Sequence, residues 1–176
     1  MPLKVEFLHP SYAFAAYDWM SINLWNGSVT EERVTAVIDA CREQCRIWPQ
    51  GGGFLLVIGP GTGMPSAEVR QKMVDAFVEM AQYTHSAAVV IMGSGFLAAT
   101  ARSVMSLVFL ATRQRIKTKV FSDVESAVRW QVANHAADKP LDLGDYYRAV
   151  LEVVEKFRVT RKEGPVSGAP GVGANR

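Results

Sequence analysis

The stretch Gly51-Gly52-Gly53-Phe54-Leu55-Leu56-Val57-Ile58-Gly59-Pro60-Gly61-Thr62-Gly63 decides the fold class of this chain. Phe54 to Ile58 is a short, wholly apolar run fenced by glycines, which suits a central strand buried on both faces. Ala87 to Met92 is a second run of the same kind. Between them, Pro65-Ser66 opens a helix whose Val69, Met73, Phe77 and Met80 recur at the spacing of a buried face, with Glu68, Arg70, Gln71, Lys72 and Asp75 opposite. A strand, a covering helix and a second buried strand form a crossover unit, and such units build parallel sheets with right-handed connections.

Upstream, Leu3, Val5 and Phe7 alternate with Lys4 and Glu6 as a strand before the His9-Pro10-Ser11 turn. Tyr12 to Trp25 reads as one further strand, bulged near Asp18 and stopped by Asn26-Gly27. Thr30, Glu31 and Glu32 supply a cap and first-turn acids for a helix carrying Val34, Val37, Ile38, Cys41, Cys45 and Trp48 in one stripe. Downstream, Gly93-Ser94-Gly95 feeds a helix over residues 96–114 that is apolar around its circumference. Lys117 to Phe121 has the polar alternation of an edge strand, and Ser122-Asp123-Val124-Glu125 reads as a capping box with Ser122 as the cap. Asp142 to Arg161 then predicts a last helix with Tyr147, Val150, Leu151 and Val154 on its inner side.

These readings predict an α/β fold: a mixed, mainly parallel sheet of about five strands with helices packed on it, plus an additional C-terminal helix. The expected organisation is one domain over residues 1–138, a helical extension over 139–163 and a disordered tail over 164–176, which is rich in Gly, Pro, Ala and Val. A length of 176 residues fits one core.

Composition narrows the partners. The net charge of +2 is small and basic residues alternate with acids, so no nucleic acid is expected. Cys41 and Cys45, four apart on a helix, diverge too far to bridge, and the first residues lack the apolar run of a signal peptide, so the expected location is cytoplasmic. Ser86 to Thr112 holds a single charge, Arg102, and is long enough to cross a bilayer, yet the 93–95 turn interrupts it. No membrane span is expected.

Catalytic chemistry finds little footing. His9, His85 and His135 stand with no acid in a recognisable arrangement, and Ser94 lacks the first glycine of a nucleophile elbow, Met92 being in that place. No catalytic residue, metal site or cofactor is expected, since three scattered histidines and two cysteines have no ligand spacing. The loop residues Gly59, Gly61, Thr62 and Gly63, with Ser94, are the candidates for holding a small ligand such as a nucleotide, although the Lys of a P-loop is missing and Pro60 removes one donor. An apolar pocket taking a lipid is the other small-molecule reading, and a small hydrolase comes third.

Ser86 to Val132 resembles the second half of a STAS domain of the anti-sigma-factor-antagonist type: an apolar strand, a small-residue turn, an Ala- and Leu-rich helix, a strand ending in Val120-Phe121, and a helix reading Ser122-Asp123-Val124-Glu125-Ser126-Ala127-Val128-Arg129-Trp130. Trp25-Asn26-Gly27-Ser28-Val29-Thr30 and the helix after it are similar to the same group, and the resemblance covers residues 3–133. It implies a STAS-like fold and a non-catalytic signalling or scaffold role through a protein partner, with a homodimer among the assemblies. Phosphoregulated members carry Asp-Ser-Ser/Thr-Gly after the third strand, with the serine at the next helix's start as the switch. This chain has Gly59 to Ser66 there, without the Asp, which leaves Ser66 and then Thr62 as phosphorylation candidates, while helix capping alone explains a Ser beside Pro at a helix start. The apolar 96–114 helix needs cover beyond one sheet, so Leu97, Val104, Met105, Val108 and Phe109 are the interface candidates.

Overall fold

The computed structural model describes residues 3–49, 51–93, 116–135 and 140–163, together with residues 99, 102, 103 and 105. Six strands form one sheet in the order of the chain: β1 Leu3–His9, β2 Tyr12–Tyr17, β3 Met20–Trp25, β4 Gly52–Ile58, β5 Thr84–Ile91 and β6 Lys117–Phe121. β1, β2 and β3 pair antiparallel, and β3 through β6 pair parallel. Four described helices flank the sheet: α1 Glu31–Ile47, α2 Ala67–Met80, α3 Val124–Asn134 and α4 Leu143–Glu163. No helix among the described residues is long and apolar enough to cross a membrane.

Parallel strands that step in one direction with crossovers of one hand place every connecting helix on the same face. Accordingly α1 and α2 bury Val34, Val37, Val69 and Phe77 in a first core with Trp25, Leu56, Val89 and Met105. The opposite face belongs to α3 and α4, which bury Ala127, Val128, Tyr146, Val150 and Val153 against Ile22, Leu55, Ala88 and Val90. The central strands are covered on both sides, as their uninterrupted apolar runs require.

Three expectations change. Tyr12 to Trp25 is two strands joined by a hairpin, which raises the strand number from five to six. The chain reverses at Asp18, whose φ of 53° lies in the left-handed region that Asp tolerates better than most residues. The cap of α3 is Asp123, which accepts from the Ser126 amide at 2.8 Å, while Glu125 pairs with Arg129 at 2.7 Å instead of reaching back. In α4 the inner face is rotated by one residue: Tyr146, Ala149, Val150, Val153 and Phe157 are buried and Leu151 is exposed.

α4 is also part of the core rather than an addition beside it. It lies across β1, β2 and β3, and its wholly buried Tyr146 donates to Gln131 Oε1 of α3 at 2.9 Å. The Gln131 carboxamide in turn donates to the Phe54 carbonyl of β4 at 3.0 Å. One polar chain thus ties α4, α3 and the middle of the sheet together, with both side chains out of water. The expected tail, 164–176, lies outside the described residues.

Candidate functional site

The carboxyl ends of β3, β4 and β5 deliver three loops to one rim of the sheet, the end at which open α/β sheets present their functional groups. The loops are laced to one another. Asn26 Oδ1 accepts from the Gly61 amide at 2.8 Å, and a side chain at Gly61 would collide with that oxygen. The Gly59 amide donates to the Trp25 carbonyl at 2.6 Å, the Thr62 amide to Gly59 at 3.1 Å, and the Gly63 amide to Gly27 at 3.0 Å. The Thr62 hydroxyl donates to the Trp25 carbonyl at 2.9 Å, and the Met92 amide joins β5 to the Ile58 carbonyl at 2.9 Å.

This lacing decides what the glycine loop can do. A phosphate cradle needs amides pointing outward into a concavity. Here the amides of Gly59, Gly61, Thr62 and Gly63 all end on oxygens of the fold, and Pro60 has none. The loop is therefore a braced surface, and Gly59 and Gly61 serve close approach to Asn26.

Ser66 stands exposed at the end of that surface as the N-cap of α2, its hydroxyl accepting from the Val69 amide at 3.3 Å. Arg70, one turn on, donates to the Pro65 carbonyl at 2.8 Å, which holds a cation beside the cap. Replacing Ser66 by Ala is expected to cost about 1 kcal/mol of stability, and Ser66→Asp to retain the cap, as urea unfolding of the two variants would read. Thr62, with its hydroxyl committed to Trp25, is half-buried.

Between these residues the loop itself carries no charge and is in places apolar. Met64 and Met92 are 42% and 44% exposed, and no charged residue occurs from Gly51 to Ala67. Of the interface candidates, Met105 is 5% exposed in the first core, so its side chain points inward and offers no outer surface. Leu97, Val104, Val108 and Phe109, like Ser94, lie outside the described residues.

A cluster not singled out in the sequence stands at the same rim. Arg33 of α1 donates to the Ser28 carbonyl at 2.9 Å and to its hydroxyl, and lies over the Tyr12 ring at 5.9 Å. Tyr12 stacks on Trp25 at 5.3 Å, and His9 packs on its ring at 5.1 Å. His9 Nδ1 accepts from the Ser11 amide at 3.1 Å, so its proton resides on Nε2. Burial, and then the nearby Arg33 charge, hold the His9 pKa below 6.5. A histidine kept neutral by the fold makes the unfolded chain the better proton acceptor, so its contribution is present above 6.5 and is lost as the pH falls from there through the lower folded-state value. Stability measured on acidification is expected to fall less steeply in His9→Asn, which keeps an acceptor for Ser11 without the titration.

The other two histidines lie apart from this cluster. His85 lies against Gly51, and His135 stacks on Trp19 at 5.3 Å, both at the other end of the sheet from His9. Among the described residues no group of three His, Cys, Asp or Glu side chains is placed to hold a metal. Cys41 and Cys45 are free thiols whose pKa values burial pushes up, which makes them poor nucleophiles.

No known protein family and no curated protein matches this chain. The functional reading therefore rests on the geometry of the rim.

Proposed function

We propose that this protein is a non-catalytic, STAS-like signalling or scaffold module that docks a protein partner on the rim formed by Gly59 to Ser66 and Met92. The observation that carries the reading is the commitment of the loop amides to internal oxygens while Met64, Ser66 and Met92 are left exposed. A surface braced in this way loses little conformational freedom when a partner covers it, so its apolar side chains are used efficiently. Methionines on this loop also adapt to the shape of what they meet.

Ser66 supplies a switch in this scheme. A phosphate added there would face the N-terminus of α2 and the Arg70 guanidinium, and would place about two negative charges beside a loop that carries none of its own. Partner release by Ser66→Asp, with binding retained by Ser66→Ala, is the expected pattern. Equal binding by both variants would remove the switch and leave Ser66 as a cap.

A second copy of the chain is one partner of this kind. Light scattering after size exclusion reads it directly: a dimer reduced to monomer by Met64→Asp identifies the rim as a self-interface, and a dimer unaffected by Met64→Asp places self-association elsewhere.

A further inference from the structure

The two edges of the sheet are built differently. At one edge, β1 carries a bulge between Val5 and Phe7, and its Lys4 is neutralised by Glu6 at 2.6 Å. A bulge twists an edge away from further pairing. At the other edge, β6 pairs with β5 from Lys117 to Phe121 without a register shift, and among the described residues no strand lies on its outer side. Alternate N–H and C=O groups along that outer side are therefore left for a further strand. Lys117, Lys119 and Phe121 share one face of β6, beside Ser86, Ala88 and Val90 of β5. Both lysines are exposed, and neither forms an ion pair among the described residues. Lys119 Nζ stands 5.4 Å from the centre of the Phe121 ring, which packs on Trp130 of α3 at 5.7 Å. The sequence carries the same asymmetry: from Met80 to Ser122 there is no Asp or Glu, while Arg102, Arg113, Arg115, Lys117 and Lys119 are basic, the last four at alternate positions.

We infer that the β6 edge is a binding site for an acidic, extended peptide segment of a partner protein, which joins the sheet as one further strand. The main chain of that segment closes the outer N–H and C=O groups of β6, and its alternate acidic side chains lie beside Lys117 and Lys119. Edge lysines repel a second copy of the same strand, so the feature that suppresses self-pairing also selects an incoming strand of opposite charge. A nucleic acid would meet the two charges and leave the strand's hydrogen-bonding groups unpaired, whereas a peptide meets both. Phe121, backed by Trp130, adds an apolar contact at the end of the strand for a side chain that follows the acids. The edge is separate from the Gly59 to Ser66 loop, so this inference holds or fails apart from docking on the rim.

The test is an NMR titration of the full chain with a short peptide of alternating Glu and Val, at low and at high salt. The expected result is a saturable shift of the Lys117 to Phe121 amide signals that weakens as salt is added. Binding should be about tenfold weaker in the Lys117→Glu, Lys119→Glu double variant and unchanged in Met64→Asp. Lys117→Gln with Lys119→Gln serves the same purpose should the charge-reversed variant fail to give a folded spectrum. The same peptide N-methylated at every residue keeps its charge and cannot complete a ladder, so it should not saturate. Saturation by the N-methylated peptide equal to that by its parent overturns the inference, because the edge is then a patch of charge alone. Absence of saturation by the parent peptide, binding unchanged in the lysine variants, or equal saturation of the same amides by a single-stranded oligothymidylate overturns it as well.

Discussion

A chain ending at Asp142 is expected not to fold. The helix it would lack, α4, covers β1, β2 and β3 and contributes Tyr146, Val150, Val153 and Phe157 to the second core. Burying a large apolar side chain is worth about 1.5–3 kcal/mol, so these four represent about 6–12 kcal/mol. The whole stability of a domain is about 5–15 kcal/mol. Removing α4 also bares Ala13, Ala15, Ile22 and Leu24 on the sheet. The truncated protein should be insoluble or, if recovered, should show no cooperative transition in urea. A soluble product that unfolds cooperatively at the midpoint of the full chain would mean that α4 is an attachment and that the sheet holds without it.

The second large effect is expected at Tyr146. Tyr146→Ala removes a wholly buried aromatic ring and should cost about 3–5 kcal/mol. Tyr146→Phe keeps the ring and removes only the hydroxyl, leaving Gln131 Oε1 buried without its donor, for a cost of about 1–3 kcal/mol. Pairing each change with Gln131→Leu separates packing from hydrogen bonding. The hydroxyl and the carboxamide act on one another, so the Tyr146→Phe and Gln131→Leu losses should fall short of adding, with a coupling of about 0.5–3 kcal/mol. Strict additivity in chemical denaturation would show that the chain of bonds from α4 to the Phe54 carbonyl carries no energy of its own.

Much of the fold was legible because the decisive elements have one reading. Phe54 to Ile58 and Ala87 to Met92 have no polar face and are too short for a buried helix, so a doubly covered strand was the one assignment left. The caps Thr30 and Ser66 and the α1 stripe through Val34, Val37, Ile38 and Cys41 were fixed by local chemistry, and the structure places them as expected, while Trp48, the expected end of that stripe, is the C-cap and packs against the second core. The hairpin at Asp18 was hidden because its alternating residues continue on both sides of a turn that carries no Gly. In α4 two apolar stripes overlap, one through Tyr146 and Val153 and one through Tyr147 and Val154. Periodicity cannot choose between them. What chooses is Gln131 on a different helix, whose carbonyl gives the Tyr146 hydroxyl a partner inside the core.

The rim was half legible for a related reason. Glycines after a buried strand mark a tight loop, and they were weighed as a phosphate cradle because the sequence shows the donors and not where they point. The lacing depends on Asn26, thirty-five residues before Gly61, meeting an amide across two strands. No local pattern carries that information. The Arg33 cluster was missed likewise, since Tyr12 and His9 reach it only after the β1–β2 turn returns them beside Trp25.

The docking account turns on the exposed rim, and one comparison tests it. The tagged protein and its Met64→Asp, Met92→Asp double variant are purified from the native cell beside Ile47→Asp, whose 52% exposed side chain ends α1 at the opposite end of the sheet. The prediction is a stoichiometric protein partner, native chain or second copy, that co-elutes with the wild type and with Ile47→Asp and is lost from the rim variant while that variant remains folded by circular dichroism. Retention of the same partner by the rim variant, or its loss from Ile47→Asp alone, would contradict the account.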